Sequence, residues 1–126
     1  MKYATLALVT GVLVAGSHVS SAAADPVVGK KVFEQCAACH SLEKDVNKVG
    51  PSLYGIVGRR PGTIADYDYS KWMVRFGQSR VWDEELLIRY LGSPQRVVIG
   101  TKMPFPGLPE RKDRADVVDY LKSLSR

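Results

Sequence analysis

The chain is short of most residues that announce chemistry. Of its 126 residues, two are cysteine and two histidine, too few cysteines for a disulfide-dense scaffold. No apolar run approaches the roughly 20 residues that cross a bilayer, which excludes a polytopic membrane protein. Strand patterns are nearly absent, and there is no internal repeat or low-complexity tract. Neither sign of charge dominates: 18 Lys and Arg stand against 13 Asp and Glu, a formal net charge of +5. That excess does not demand nucleic acid, and it is compatible with docking on an acidic protein surface. What remains, 45% hydrophobic and 25% charged, is the balance of a soluble globular domain, and the length allows one.

The N-terminus reads as an export signal. Lys2 supplies a positive start, Ala4 to Gly16 is an apolar stretch, and Ser17 to Ala24 is small and polar, ending in an Ala22-Ala23-Ala24 cleavage site. A retained anchor fits less well, because the apolar run is short for a span. The expected organisation is a cleavable secretory signal over residues 1–24 and one domain over 25–126. Cleavage would remove His18 and leave His40 as the one histidine, so a function needing two is excluded. The destination lies outside the cytoplasm, where a cysteine pair would normally oxidise.

The mature chain reads as all-α, with three to five short helices between Gly- and Pro-rich loops. Asp25 caps a first helix that Pro26 opens and that reaches about Cys36; Val28, Val32, Phe33 and Cys36 share its apolar face. From Lys48 to Gly62 no period survives. Ser70 caps a short helix ending near Val74 or Phe76. Asp83 caps another over Glu84 to Leu91, which Gly92 stops. Gly100 to Pro109 is too rich in proline to be helical. The last helix spans about Glu110 to Leu124, with Val117, Val118, Leu121 and Leu124 on one face. Such an inventory buries limited apolar area, and small folds of this kind usually need a staple, a metal or a cofactor.

Cys36-Ala37-Ala38-Cys39-His40 says which. Two thiols at i and i+3 lie on one side of a helical turn and can form thioethers with the two vinyl groups of a haem, while the adjacent histidine is held against the iron. A thioredoxin-like Cys-x-x-Cys would need a βαβ context that the chain lacks. A zinc site would need a second Cys/His pair or carboxylates, and no such pair exists. With His40 on one axial position, the other falls to Met73 or Met103. Met103 sits in a proline-stiffened loop; Met73 lies in a helical stretch where methionine more often fills a core.

In order along the chain, Gly29 and Phe33, Cys36 to His40, Gly50-Pro51-Ser52-Leu53-Tyr54-Gly55, Gly58-Arg59, Tyr69-Ser70, Trp82, Tyr90-Leu91, Gly100-Thr101-Lys102-Met103, Val117 and Tyr120 resemble the class I cytochromes c. The similarity spans essentially the whole mature chain, and the attachment motif near its start separates it from the cytochromes c′. The resemblance implies one haem c bound covalently through Cys36 and Cys39, with His40 and Met103 as iron ligands. It implies that the carbonyl of Pro51 orients the His40 ring, that Arg59, Tyr69 and Trp82 surround a haem propionate, and that Tyr90 and Thr101 tune the Met103 bond. It also implies that Gly29 and Phe33 pack the first helix against Val117 and Tyr120. Two departures stand out. The stretch from Tyr69 to Trp82 is about two residues longer than the mitochondrial pattern, and Met73 replaces a polar asparagine beside a buried water.

With both axial positions filled, the expectation is a diffusible, monomeric one-electron carrier of the periplasm, not an enzyme. Its expected partners are redox proteins with acidic docking surfaces: a cytochrome bc-type complex, a terminal oxidase or reductase, or a dehydrogenase. Lys30, Lys31, Lys44, Lys48, Arg59, Arg60, Arg96 and Lys102 are the candidate docking charges. The alternatives are a small haem enzyme or electron-transfer subunit, as in a peroxidase or a sulfur-compound oxidoreductase, and a haem-free dithiol protein. Neither nucleic acid nor stable membrane insertion after signal cleavage is expected.

Overall fold

A computed structural model describes residues 22–125. The expected leader falls almost entirely outside the described residues; Ala22 to Ala24 are exposed. Five helices follow: α1 (Pro26–Phe33), α2 (Lys71–Gly77), α3 (Glu84–Gly92), α4 (Pro94–Val97) and α5 (Arg111–Ser123). No strand occurs among the described residues.

The caps follow the side chains that the sequence offers. Asp25 accepts from the amides of Val27 and Val28, Ser70 from Met73, and Asp83 from Leu86, so each satisfies helix-end donors that have no partner inside the helix. α4 was not expected. Gly92 does end α3, but Pro94 at the first position restarts a single turn, since proline gives up no needed N–H there.

α1 crosses α5, and the crossing is close because of one glycine. A Cβ on Gly29 would fall 2.0 Å from the carbonyl oxygen of Asp116, so only glycine lets the two backbones approach. Phe33 and Tyr120 pack beside it with ring centroids 6.0 Å apart. The buried face of α1 is Gly29, Val32 and Phe33; Val28, expected on it, is 41% exposed. Val117, Val118 and Leu121 bury the facing side of α5.

One carboxylate enters this crossing. Asp116 is fully buried, accepts the Asp25 amide at 2.8 Å and pairs with Lys112 at 2.8 Å. Burial alone would raise its pKa, but Lys112 and the Asp25 N–H hold it below the ordinary carboxylate value.

Candidate haem site

The loops between the helices enclose a cavity of about 340 Å³, within the range of roughly 300–1,000 Å³ that holds small ligands. Leu53, Ile56, Leu87, Val117 and Leu121 are among its apolar lining. Every residue singled out for the site, namely Cys36, Cys39, His40, Pro51, Arg59, Tyr69, Trp82, Tyr90, Thr101 and Met103, also lines it.

The first wall grows out of α1. Beyond Phe33 the chain stays in turns: Cys36 and Ala37 donate to Phe33, and Cys39 and His40 donate to Cys36. These bonds put the two thiols on the same turn. Cys36 is half-buried and Cys39 exposed. Burial pushes the Cys36 thiol up, and Cys39 adds to the shift. His40 Nδ1 lies 2.7 Å from the carbonyl oxygen of Pro51. A carbonyl can only accept, so Nδ1 carries the proton and Nε2 keeps its lone pair. Burial lowers the His40 pKa against the opposing effect of that bond, and Lys48 and Arg59 lower it further. Gly50 backs the ring: a Cβ there would lie 2.4 Å from His40 Cε1.

The second wall is the loop between α4 and α5. Tyr90 and Thr101 share a 2.9 Å hydrogen bond, and the Met103 amide donates to the same Thr101 hydroxyl at 3.3 Å. Gln95 donates to the Met103 carbonyl at 2.7 Å. Burial raises the Tyr90 pKa, so the phenol stays neutral. Lys102 reaches Asp68 across the loop, at 2.6 Å.

Arg59, Tyr69 and Trp82 form the third side. Trp82 is buried, with its ring centroid 4.8 Å from that of Tyr90. The Arg59 guanidinium donates to the carbonyls of Ser52 and Tyr54, at 2.8 and 3.0 Å. No carboxylate pairs with it among the described residues. It was expected to serve as a docking charge too, but its half-buried guanidinium is committed to those two carbonyls. Burial also raises the Tyr69 pKa.

The donor set suits iron in a tetrapyrrole. It offers one imidazole nitrogen, two thioethers (Met73 and Met103), a thiol pair on a single turn, apolar walls and one uncompensated cation for an acidic substituent. Three contributors take roles that the sequence reading did not assign them. Met73, read as a core filler or the other candidate ligand, is both part of the buried core and a lining residue of the cavity. The Gly50 seat under His40 was marked only by the adjacent proline. Gln95 lies in the helix that the sequence pattern did not show.

A family model described as Cytochrome c matches residues 27–125. The chain is 46% identical over 101 residues to the cytochrome c2 of Rhodopila globiformis, covering 79% of this chain and 93% of that one. It is 47% identical over 92 residues to cytochrome c2 iso-2 of Magnetospirillum fulvum, covering 73% and 94%. Among solved structures, cytochrome cH from Methylobacterium extorquens superposes with a TM-score of 0.73 at 42% identity, covering 79% of this chain and 98% of that one. Cytochrome c2 from Rhodospirillum centenum superposes with a TM-score of 0.76 at 36% identity, covering 81% and 99%.

Proposed function

Because this chain belongs to the cytochrome c family, we propose that it carries single electrons with His40 and Met103 as the two iron ligands, and that it does so in the periplasm. It is an electron carrier and not an enzyme, and it binds haem c covalently through Cys36 and Cys39. When bound, the haem supplies a reversible one-electron couple, and an imidazole–thioether donor pair raises its potential.

One observation carries the ligand assignment. His40 and Met103 come from distant parts of the sequence and line the same cavity, and the hydrogen-bond pattern leaves Nε2 of His40 as a lone-pair donor; Met73 lines the cavity too, and the choice of Met103 over it rests on the likeness to the cytochromes c. With both positions taken, a substrate has nowhere to coordinate, and outer-sphere transfer is what remains. The chain's own work is to orient and to exclude water. Pro51 fixes the imidazole ring, Thr101 and Gln95 fix the backbone at Met103, and Trp82 and Leu87 keep the interior dry.

Absorption spectra of the exported protein test this, taken oxidised, reduced, and reduced with carbon monoxide. The expected result is a low-spin haem in both states that ignores carbon monoxide. Met103→Ala is expected to give high-spin iron that binds it. A wild-type protein that binds carbon monoxide, or a Met103→Ala spectrum unchanged from wild type, would overturn the assignment.

Like other cytochromes c, it works with redox partners. An acidic docking surface, on a cytochrome bc-type complex, a terminal oxidase or reductase, or a dehydrogenase, suits the exposed Lys48, Arg96 and Lys102. Electron transfer to such a partner should slow as salt rises, since exposed charges are screened beyond roughly 10 Å at 0.1 M. Export rests on the leader-like sequence and its cleavage site. The mass of the exported protein checks it, with Asp25 expected as its first residue.

A further inference from the structure

The geometry points to Trp72 as a positioning residue for the Met103 loop: its indole grips that loop through Gly100 and holds Met103 in the cavity. The inference rests on Met103 being an iron ligand.

Trp72 lies in the first turn of α2 and is 46% exposed. Its neighbour Met73 is buried and lines the cavity. Consecutive side chains of one helical turn therefore divide the work, Met73 turned inward and Trp72 laid on the adjacent loop. The contact is with bare backbone. A Cβ on Gly100 would fall 2.2 Å from Cδ1 of the indole and 2.7 Å from Nε1. Only a residue without a side chain lets the ring lie this close. Gly100 also holds φ +84°, a conformation that favours glycine independently. On the indole itself, the Lys71 ammonium sits 5.2 Å from the ring centroid.

Position decides what the contact does. Gly100 precedes Thr101, Lys102 and Met103 without a break. The other ties of this loop, Tyr90 to Thr101 and Gln95 to the Met103 carbonyl, anchor it to α3 and α4. Two residue pairs tie it to the segment that contains α2: Lys102–Asp68, where the ammonium donates to the carboxylate at 2.6 Å and to the carbonyl at 2.8 Å, and Trp72–Gly100. The ion pair is exposed, at 50% and 96% for its two side chains, and such pairs contribute little. The indole packs directly on the Gly100 backbone, a contact that involves no charge pair and that salt does not screen. Trp72 is thus the stronger of the two ties.

Loosening that tie should raise the fraction of molecules in which Met103 has left the cavity. An added ligand reads this fraction directly, because it binds only the open form. In the ferric holoprotein, Trp72→Ala is expected to bind imidazole at least tenfold more tightly than wild type. Trp72→Phe, which keeps an aromatic face on Gly100, should recover most of the wild-type value. Lys102→Gln, which removes the ammonium that bonds both the carboxylate and the carbonyl of Asp68, should change affinity less than twofold. Tyr120→Leu, at the distant α1–α5 crossing, supplies a generally destabilised control, and it should not tighten imidazole binding to the same degree. Hydrogen exchange at the Met103 amide, which should quicken in Trp72→Ala, reports the loop whether or not Met103 binds iron.

Imidazole affinity and Met103 exchange that match wild type in both Trp72→Ala and Trp72→Phe would overturn the role of Trp72. Equal tightening in Tyr120→Leu would overturn it as well, by reducing it to general stability. Failure of the ligand assignment looks different. The wild-type protein would then lack the long-wavelength thioether-to-iron absorption band and would bind imidazole freely. If Trp72→Ala fails to fold, Trp72→Phe and Trp72→Leu carry the same comparison, with effects graded by the area left on Gly100.

Discussion

The two walls that carry the axial donors are built by different means. On the His40 side, backbone does the holding. Successive main-chain bonds run from Phe33 to His40, the Gly50 amide donates to the carbonyl of Cys39 at 2.7 Å, and the Pro51 carbonyl takes the ring proton. On the Met103 side there is almost no regular structure, and side chains do the holding: Tyr90, Thr101, Gln95 and Trp72. A wall of backbone tolerates no added atom but asks little of side-chain chemistry. A wall of side chains can be loosened one contact at a time. The first suits a ligand that must never leave, the second a ligand whose bond is to be tuned.

The largest expected effect breaks the backbone wall. Gly50→Val places atoms where the His40 ring already lies, 2.4 Å from the first of them. Overpacking of this kind costs about 3 kcal/mol. Guanidinium unfolding of the holoprotein should register it as a single loss, with no intermediate spectrum. Next comes Thr101→Val on the other wall. It removes the partner of the Tyr90 hydroxyl and the acceptor of the Met103 amide, for about 1–2 kcal/mol. Here the thioether band should fade before the protein unfolds, and that order of events is the contrast with Gly50→Val.

The smallest effect shows only in acid. Asp116 is buried and held charged by Lys112 and the Asp25 nitrogen, an amide in the full chain and the α-ammonium once the leader is cleaved, so its folded-state pKa lies below the unfolded value of 3.8. The stabilisation is therefore complete above that value and is lost as pH falls through the folded pKa. Thermal unfolding followed down to acid pH should show the loss, and Asp116→Asn should lack this component. Because Asp116 clamps α1 to α5, near the start of the His40 wall, acid should loosen that wall without first releasing Met103.

The same contrast governs what could be read in advance. Cys36, Cys39 and His40 were legible because one turn of backbone binds their chemistry to a fixed spacing. The caps at Asp25, Ser70 and Asp83 were legible for the same reason: each acts within three residues of itself. Met103 was legible as a candidate through its prolines, and the choice over Met73 came from resemblance to a family. The rest depends on contacts between segments far apart. Nothing local says that Gly100 lies under Trp72, that Gln95 reaches Met103, or that Val28 faces water while Gly29 is buried. α4 escaped because a proline after a glycine reads equally as a stop and as a first helical position.

The α1–α5 crossing has a consequence in time. Its first hydrogen bond joins Asp25 to Asp116 across 91 residues. Alone, α1 has 8 residues, too few to persist in water without a partner. A chain that emerges from its N-terminus first leaves α1, and the thiols just beyond it, unfolded and open until α5 has also emerged. The last element made is the one that fixes α1, so the fold itself sets aside an interval in which the turn that carries the cysteines is still free to adapt to what binds it.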